Sequence, residues 1–208
     1  MKHNKPYFIT LEGIEGAGKS TAIRFLDTIL TEKNIAHRVT REPGGTEIAE
    51  NIRQILLQPH VEPIAADTEL LLMFASRAQH IAQVIQPSLA AGQWVLCDRF
   101  TDATYAYQGG GRGIARTRIA ELEHCVQGVL KPDFVILLDV SVETGLQRIS
   151  QRSGGKDRFE QEKIDFFHRV RDEYLSIAQD NPRYVIINAE KSFEMIQVEL
   201  NNFLDSLL

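Results

Sequence analysis

Five short runs of Val, Ile, Leu and aromatic residues recur along the chain, at 7–11, 38–40, 94–97, 134–138 and 184–187. Such side chains suit a pleated, buried surface, so each run predicts a strand. Several are apolar without alternation, the pattern of strands covered on both faces of a parallel sheet. Between them the apolar positions repeat at helical spacing, predicting helices at about 19–32, 47–57, 67–91, 116–130, 142–151, 160–179 and 193–207. The last has the cleanest stripe, formed by Phe193, Ile196, Leu200, Phe203, Leu204 and Leu207 behind a Ser192 suited to capping. Strand and helix alternate throughout, which predicts an α/β fold wound on a parallel sheet with right-handed crossovers. No repeat or linker-like stretch divides the chain, so residues 1–208 read as one domain. On such sheets ligands bind beyond the carboxyl ends of the strands, and the residues that follow each strand are where chemistry is sought.

Directly after the first run stands G-I-E-G-A-G-K-S, matching G-x-x-x-x-G-K-[ST] in full: Gly13, Ile14, Glu15, Gly16, Ala17, Gly18, Lys19 and Ser20. Glycines let such a loop curl until its backbone N–H groups face phosphate oxygens, and the N-terminus of the helix that follows adds positive potential. Lys19 is then placed to reach the β- and γ-phosphates and the Ser20 hydroxyl to ligate Mg²⁺. A dinucleotide fingerprint fits less well, because Gly16-Ala17-Gly18 is followed three residues on by Thr21 rather than Gly. A carboxylate for the metal is expected at the end of a neighbouring strand. Asp98 and Asp139 both qualify. Asp98 precedes Arg99, a residue suited to gripping phosphate, whereas Asp139 stands two before Ser141, a helix cap, so Asp98 is the better placed.

Composition narrows the choice of function. Lys+Arg 23 against Asp+Glu 28 gives a net charge of −5, so no global basic character advertises nucleic acid or an anionic membrane as partner. Two cysteines without metal-ligand spacing, and no leader-like or membrane-length apolar stretch, fit a cytoplasmic protein. A switch GTPase needs D-x-x-G and N-K-x-D motifs, and neither is present. The chain offers instead arginines at strand ends and in loops, which suit a second anionic substrate. The six histidines show no paired metal spacing and read as surface or core residues.

R-E-P-G-G-T at 41–46, the pair Asp98-Arg99, Y-Q-G-G-G-R at 107–112 and K-D-R-F-E at 156–160 together resemble the bacterial thymidylate kinases, in order and spacing over nearly the whole chain. The resemblance implies a P-loop fold with a five-stranded parallel sheet, a mobile lid at about 149–160 and a homodimer. It also implies ATP and dTMP as substrates, with Mg²⁺. It makes Lys19, Asp98 and Arg99 catalytic, and sets Arg41 with Arg99 on the acceptor 5′-phosphate. Glu15 would then face the sugar 3′-hydroxyl, with Tyr107 and Gln108 beside sugar and base. Phe74 and Arg77, three apart on one helix, would stack on thymine and donate to its carbonyl; by periodicity alone Phe74 fits better a core stripe with Leu70, Leu71, Ala78 and Ile81. The phosphate loop carries no arginine at Ile14, Glu15, Gly16 or Ala17, so in this family the lid supplies one. Arg152 is the first choice, with Arg148 and Arg158 next toward ATP. No general base is needed, since the acceptor is already an anion and transfer depends on positioning and charge stabilisation.

Overall fold

The fold comes from a computed structural model that describes residues 5–151 and 157–208. Its strands are β1 (Phe8–Glu12), β2 (His37–Arg41), β3 (Trp94–Asp98), β4 (Phe134–Asp139) and β5 (Tyr184–Asn188). They form one five-stranded sheet in the order β2-β3-β1-β4-β5, and every pairing is parallel. Each strand runs one residue past its apolar run, to Glu12, Arg41, Asp98, Asp139 and Asn188. Backbone pairing holds these polar residues: Arg99 N–H donates to Leu11 O, Glu42 N–H to Asp98 O and Ala189 N–H to Asp139 O. Hydropathy registers side chains only, whereas the ladder continues until its N–H and C=O groups lose their partners.

Both faces of the sheet are covered, as the continuous apolar runs require. Ile9, Leu11 and Leu96 pack into a large cluster with Leu26, Phe167 and Leu200 from the helices. The alternate positions Phe8, Val95 and Cys97 point the other way, into a second cluster with Ile81, Ile85 and Phe100. The helices are α1 (Lys19–Glu32), α2 (Glu47–Leu57), α3 (Ala66–His80), α4 (Gln86–Ala90), α5 (Thr101–Thr104), α6 (Arg116–Gln127), α7 (Val142–Ser150), α8 (Ile164–Ala178) and α9 (Phe193–Leu207). Among the described residues none is long and apolar enough to cross a membrane.

Three local readings change. The helix expected at 67–91 is interrupted by a π-helical turn, Ile81–Ile85, where Gln86 N–H bonds to Ile81 O just before Pro87. Proline has no N–H for the preceding turn, and the wider turn lets the chain continue. The glycine-rich stretch after β3 is helical: α5 runs into a second π-helical turn, Tyr105–Gly111. Gly110 and Gly111 lie against α8, where an added Cβ would sit 2.8 Å from Arg169 O and 2.4 Å from the Phe166 ring. These glycines permit helix packing. Finally, Ser192 stands at the N-terminus of α9 but its hydroxyl makes no capping bond, whereas Ser141 Oγ does accept from Thr144 N–H at the start of α7.

Candidate active site

A cavity of about 580 Å³ opens at the carboxyl end of the sheet. Its wall includes Gly16, Gly18, Lys19 and Ser20 of the phosphate loop with the next residue Thr21, Asp98 and Arg99 at the end of β3, and Arg41, Arg53, Arg77 and Arg148. The loop's shape depends on glycine. Gly13 has φ +134° and an added Cβ would meet Leu138 O at 2.4 Å; Gly16 has φ +77° and would meet Gly145 O at 2.2 Å. No L side chain tolerates both the dihedral and the approach. Ile14 and Ala17 turn their side chains into the core and lend the loop only backbone.

The Lys19 ammonium folds over the loop and donates to Gly13 O at 2.9 Å and Ile14 O at 3.0 Å. Burial, with the positive charge of Arg99, lowers its pKa to about 8, against the pull of Asp98, Glu15 and Glu12. An anion arriving here meets a cation that burial has already stripped of water. Asp98 Oδ1 is buried with no hydrogen-bond partner among the described residues, and the Ser20 hydroxyl is exposed at the same cavity. A free carboxylate oxygen and a hydroxyl fit Mg²⁺, which takes few protein ligands and completes its shell with phosphate and water. Among the described residues no three-ligand His/Cys/Asp/Glu cluster occurs. The alternative, Asp139, is occupied by Arg171 at 2.7 and 2.9 Å.

Arg99 adopts a left-handed backbone, φ 70°. Its neighbours hold it there. Phe100 N–H donates to Glu12 Oε1 at 2.7 Å, while Arg99 itself donates to Glu15 Oε1 at 3.0 Å and to the Tyr174 hydroxyl at 3.1 Å. Tyr174 passes the contact on to Glu12 Oε2 at 2.8 Å, and Tyr107 lies with its ring 4.6 Å from the guanidinium and its hydroxyl on Glu15 Oε2 at 2.6 Å. A carboxylate inside a phosphate loop is thus offset by an arginine. Glu12 is fully buried; burial, with the charge of Asp102, pushes its pKa up to about 8, against Arg99. No reading of the sequence singled out Glu12, although an acid closing an apolar strand is a visible signal.

On the other side of the cavity Arg77 donates through Nε to Glu42 at 2.7 Å, and through Nη2 to Phe100 O and Thr104 Oγ1, each at 3.0 Å. Its Nη1 is buried without a partner among the described residues. Gln108 also lines the cavity, tied through Nε2 to the buried Glu69 at 2.9 Å. Arg41 is exposed and rests on Glu50 at 3.0 and 3.1 Å. Arg53, one turn along α2 from Glu50, joins it in the wall, anchored on Pro43 O at 2.9 Å. Its place in the middle of a helix hid it from a search of strand ends. Burial and the charges of Arg41 and Arg99 lower the Arg53 pKa, the mark of cations gathered for an anion.

Phe74 is not brought to the cavity. It is buried with Leu70, Ile114 and Ile119, with its ring 4.9 Å from the Arg77 guanidinium, and Met73 lines the cavity instead. Positions 73 and 77 are four apart, one turn on the face that α3 turns to the cavity. Phe74→Ala is therefore expected to cost about 3–5 kcal/mol of stability. Met73→Ala should cost less stability, since Met73 is only partly buried against the core, and should raise the KM for the acceptor. Denaturant melts and steady-state kinetics on the two variants separate these effects, and the reverse pattern would return the wall to Phe74.

Arg148 does line the cavity, donating to Gly16 O at 3.3 Å and Ala189 O at 3.0 Å. Arg158 does not. Its Nη2 lies 2.6 Å from Glu69, its Nε donates to Leu56 O at 2.7 Å, and its guanidinium covers Phe159, so it fastens the 157–160 turn to α2 and α3. Arg112 shares Glu69 at 3.1 and 3.2 Å. Arg152 lies outside the described residues.

The sequence model of the family described as "Thymidylate kinase" matches residues 11–200. Among curated proteins, the chain is 55% identical to "Thymidylate kinase" of Ectopseudomonas mendocina over 202 residues, covering 97% of this chain and 96% of the relative. It is 56% identical to the protein of the same name from Pseudomonas putida over the same span, and 55% identical to that of Pseudomonas syringae pv. tomato. With a phosphate loop after β1, an Asp-Arg pair at the end of β3 and likeness at this level along nearly its whole length, the chain belongs to the thymidylate kinase family.

Proposed function

We propose that the protein transfers the γ-phosphoryl group of ATP to dTMP, giving dTDP and ADP. The observation that carries this reading is one cavity holding both a phosphate loop with Lys19 and a separate cationic pocket of Arg41, Arg53, Arg77 and Arg99. In this reading the triphosphate lies on the backbone N–H groups of 13–20, with Lys19 on the β- and γ-oxygens and Thr21 and Arg148 alongside. Ser20 and Asp98 would hold Mg²⁺, which when bound neutralises charge on the β- and γ-phosphates. Arg99, backed by Arg41 and Arg53, grips the acceptor phosphate and aligns its oxygen for in-line attack. Glu15 accepts from the 3′-hydroxyl, Met73 packs on the base, Gln108 borders it, and Arg77 Nη1 donates to a base carbonyl. The stretch 149–160 would act as a lid and Arg152 would meet the transferring group; this and the homodimer follow from the resemblance, and a cytoplasmic setting from the cysteine usage.

The test is an ADP-release assay across thymidine, dTMP, dUMP and dCMP. Activity should be highest with dTMP and absent with thymidine. A single methyl group is worth roughly 10–200-fold, so dUMP should be a slow but measurable acceptor. Turnover of thymidine, or equal turnover of all monophosphates, would overturn the reading. ATP binding without ADP release would make the protein a binding module.

A further inference from the structure

We propose that Glu42 and His80 are positioning residues for Arg77, and that they set the discrimination between a 4-keto and a 4-amino pyrimidine. The inference rests on the dTMP reading of the cavity. Arg77, Glu42 and His80 have side chains 2%, 4% and 0% exposed, so their bonds are not shared with solvent. A guanidinium carries five N–H donors in a rigid plane. Here Nε–H is held by Glu42 Oε2 and the Nη2 donors by Phe100 O and Thr104 Oγ1, leaving Nη1 without a partner among the described residues, in a residue that lines the cavity. Turning the plane would break three bonds. The free donors therefore have one direction.

That direction is only as fixed as Glu42. Its second oxygen, Oε1, lies 2.9 Å from His80 Nδ1, and His80 Nε2 lies 2.6 Å from Thr40 Oγ1. A neutral imidazole that donates from Nδ1 to Glu42 and accepts the Thr40 hydroxyl at Nε2 satisfies every group in the chain. The loop after β2 closes over it: a Cβ on Gly45 would stand 2.6 Å from the His80 ring and 2.7 Å from Thr40 Oγ1. Thr40, His80, Glu42 and Arg77 thus form a buried relay that ends in an unpaired donor on a residue of the cavity wall. A 4-keto oxygen completes the relay. A 4-amino group turns N–H toward N–H and leaves both unpaired, the situation in which polar sites reject a near-identical ligand strongly.

The experiment compares His80→Phe, His80→Asn and Glu42→Gln with the parent protein, measuring kcat and KM for dTMP and dCMP and the melting temperature. His80→Phe should raise the KM for dTMP about 10-fold, with a smaller change in kcat, and lower the dTMP/dCMP preference about 10-fold or more. His80→Asn, whose Nδ2–H can replace Nδ1–H toward Glu42, should recover most of the preference. Glu42→Gln keeps shape without charge and should also raise KM; it carries the test if His80→Phe does not fold. A lower melting temperature with the preference intact in all three variants would make the relay structural only and overturn the proposal. A parent protein that prefers dTMP while the variants lose selectivity supports it, whereas a parent that ignores dTMP removes the underlying reading and this inference with it.

Discussion

Lys19→Ala is expected to fold normally and to lose about 10²–10³-fold in kcat/KM, the range for deleting a donor aimed at developing charge in a water-poor site. The fold should survive because, among the described residues, the Lys19 ammonium bonds to two loop carbonyls, Gly13 O and Ile14 O, which can turn to water once the cavity widens. The pH dependence gives a second signature. Lys19 titrates near 8 because burial and Arg99 disfavour its charge. Phosphate binding favours the protonated form, so proton uptake accompanies ATP binding once the pH exceeds that value. ATP affinity should therefore be flat below pH 7 and fall as pH rises through 8, by up to about 10-fold per unit. The Ala variant should lose this slope. Calorimetric titrations between pH 6.5 and 9.5 would show it, and near-normal turnover by a folded Lys19→Ala protein would end the phosphate-loop assignment.

Arg99→Ala should be at least as damaging, with kcat/KM for the acceptor down about 10²-fold or more, because the lost cation both binds and orients. It also leaves Glu15 without its ion pair and takes away the donor to the Tyr174 hydroxyl, which keeps its own bond to Glu12. The residual carboxylate repels the acceptor, so KM should rise as kcat falls. Arg99→Lys should recover little, since an ammonium cannot reach Glu15, Tyr174 and a phosphate in one plane. Double substitution of Glu15 and Arg99 by Gln and Ala separates the two effects. If it binds dTMP no better than Arg99→Ala alone, repulsion by Glu15 plays no part.

How much of this was legible depends on the kind of interaction. Gly13 to Ser20, Asp98, Arg99 and Arg41 could be read because local spacing ties each to the end of a strand. Arg53 and Glu12 could not be read in that way. One sits mid-helix and reaches the cavity through the angle of α2, and the other acts from full burial. Arg158 shows the opposite case: its loop and charge fitted a ligand role, but Glu69, far away in sequence, takes it.

Phe74 and Met73 mark the boundary most sharply. Periodicity places both near Arg77, and a difference of one position rotates a helical side chain by about 100°. Which one meets the cavity follows from how α3 is rolled against α6 and the π-helical turn Tyr105–Gly111, a matter of packing that one sequence window does not contain. His80 is similar, unremarkable among six histidines until the sheet brings Thr40 and Glu42 to it. The sequence alone determined the α/β alternation, the parallel sheet and the phosphate loop, because these depend on hydropathy period and backbone freedom within a few neighbouring residues. The tertiary structure alone decided which carboxylates neutralise which arginines and which donor is left unpaired. Those outcomes depend on distances between residues that are far apart along the chain.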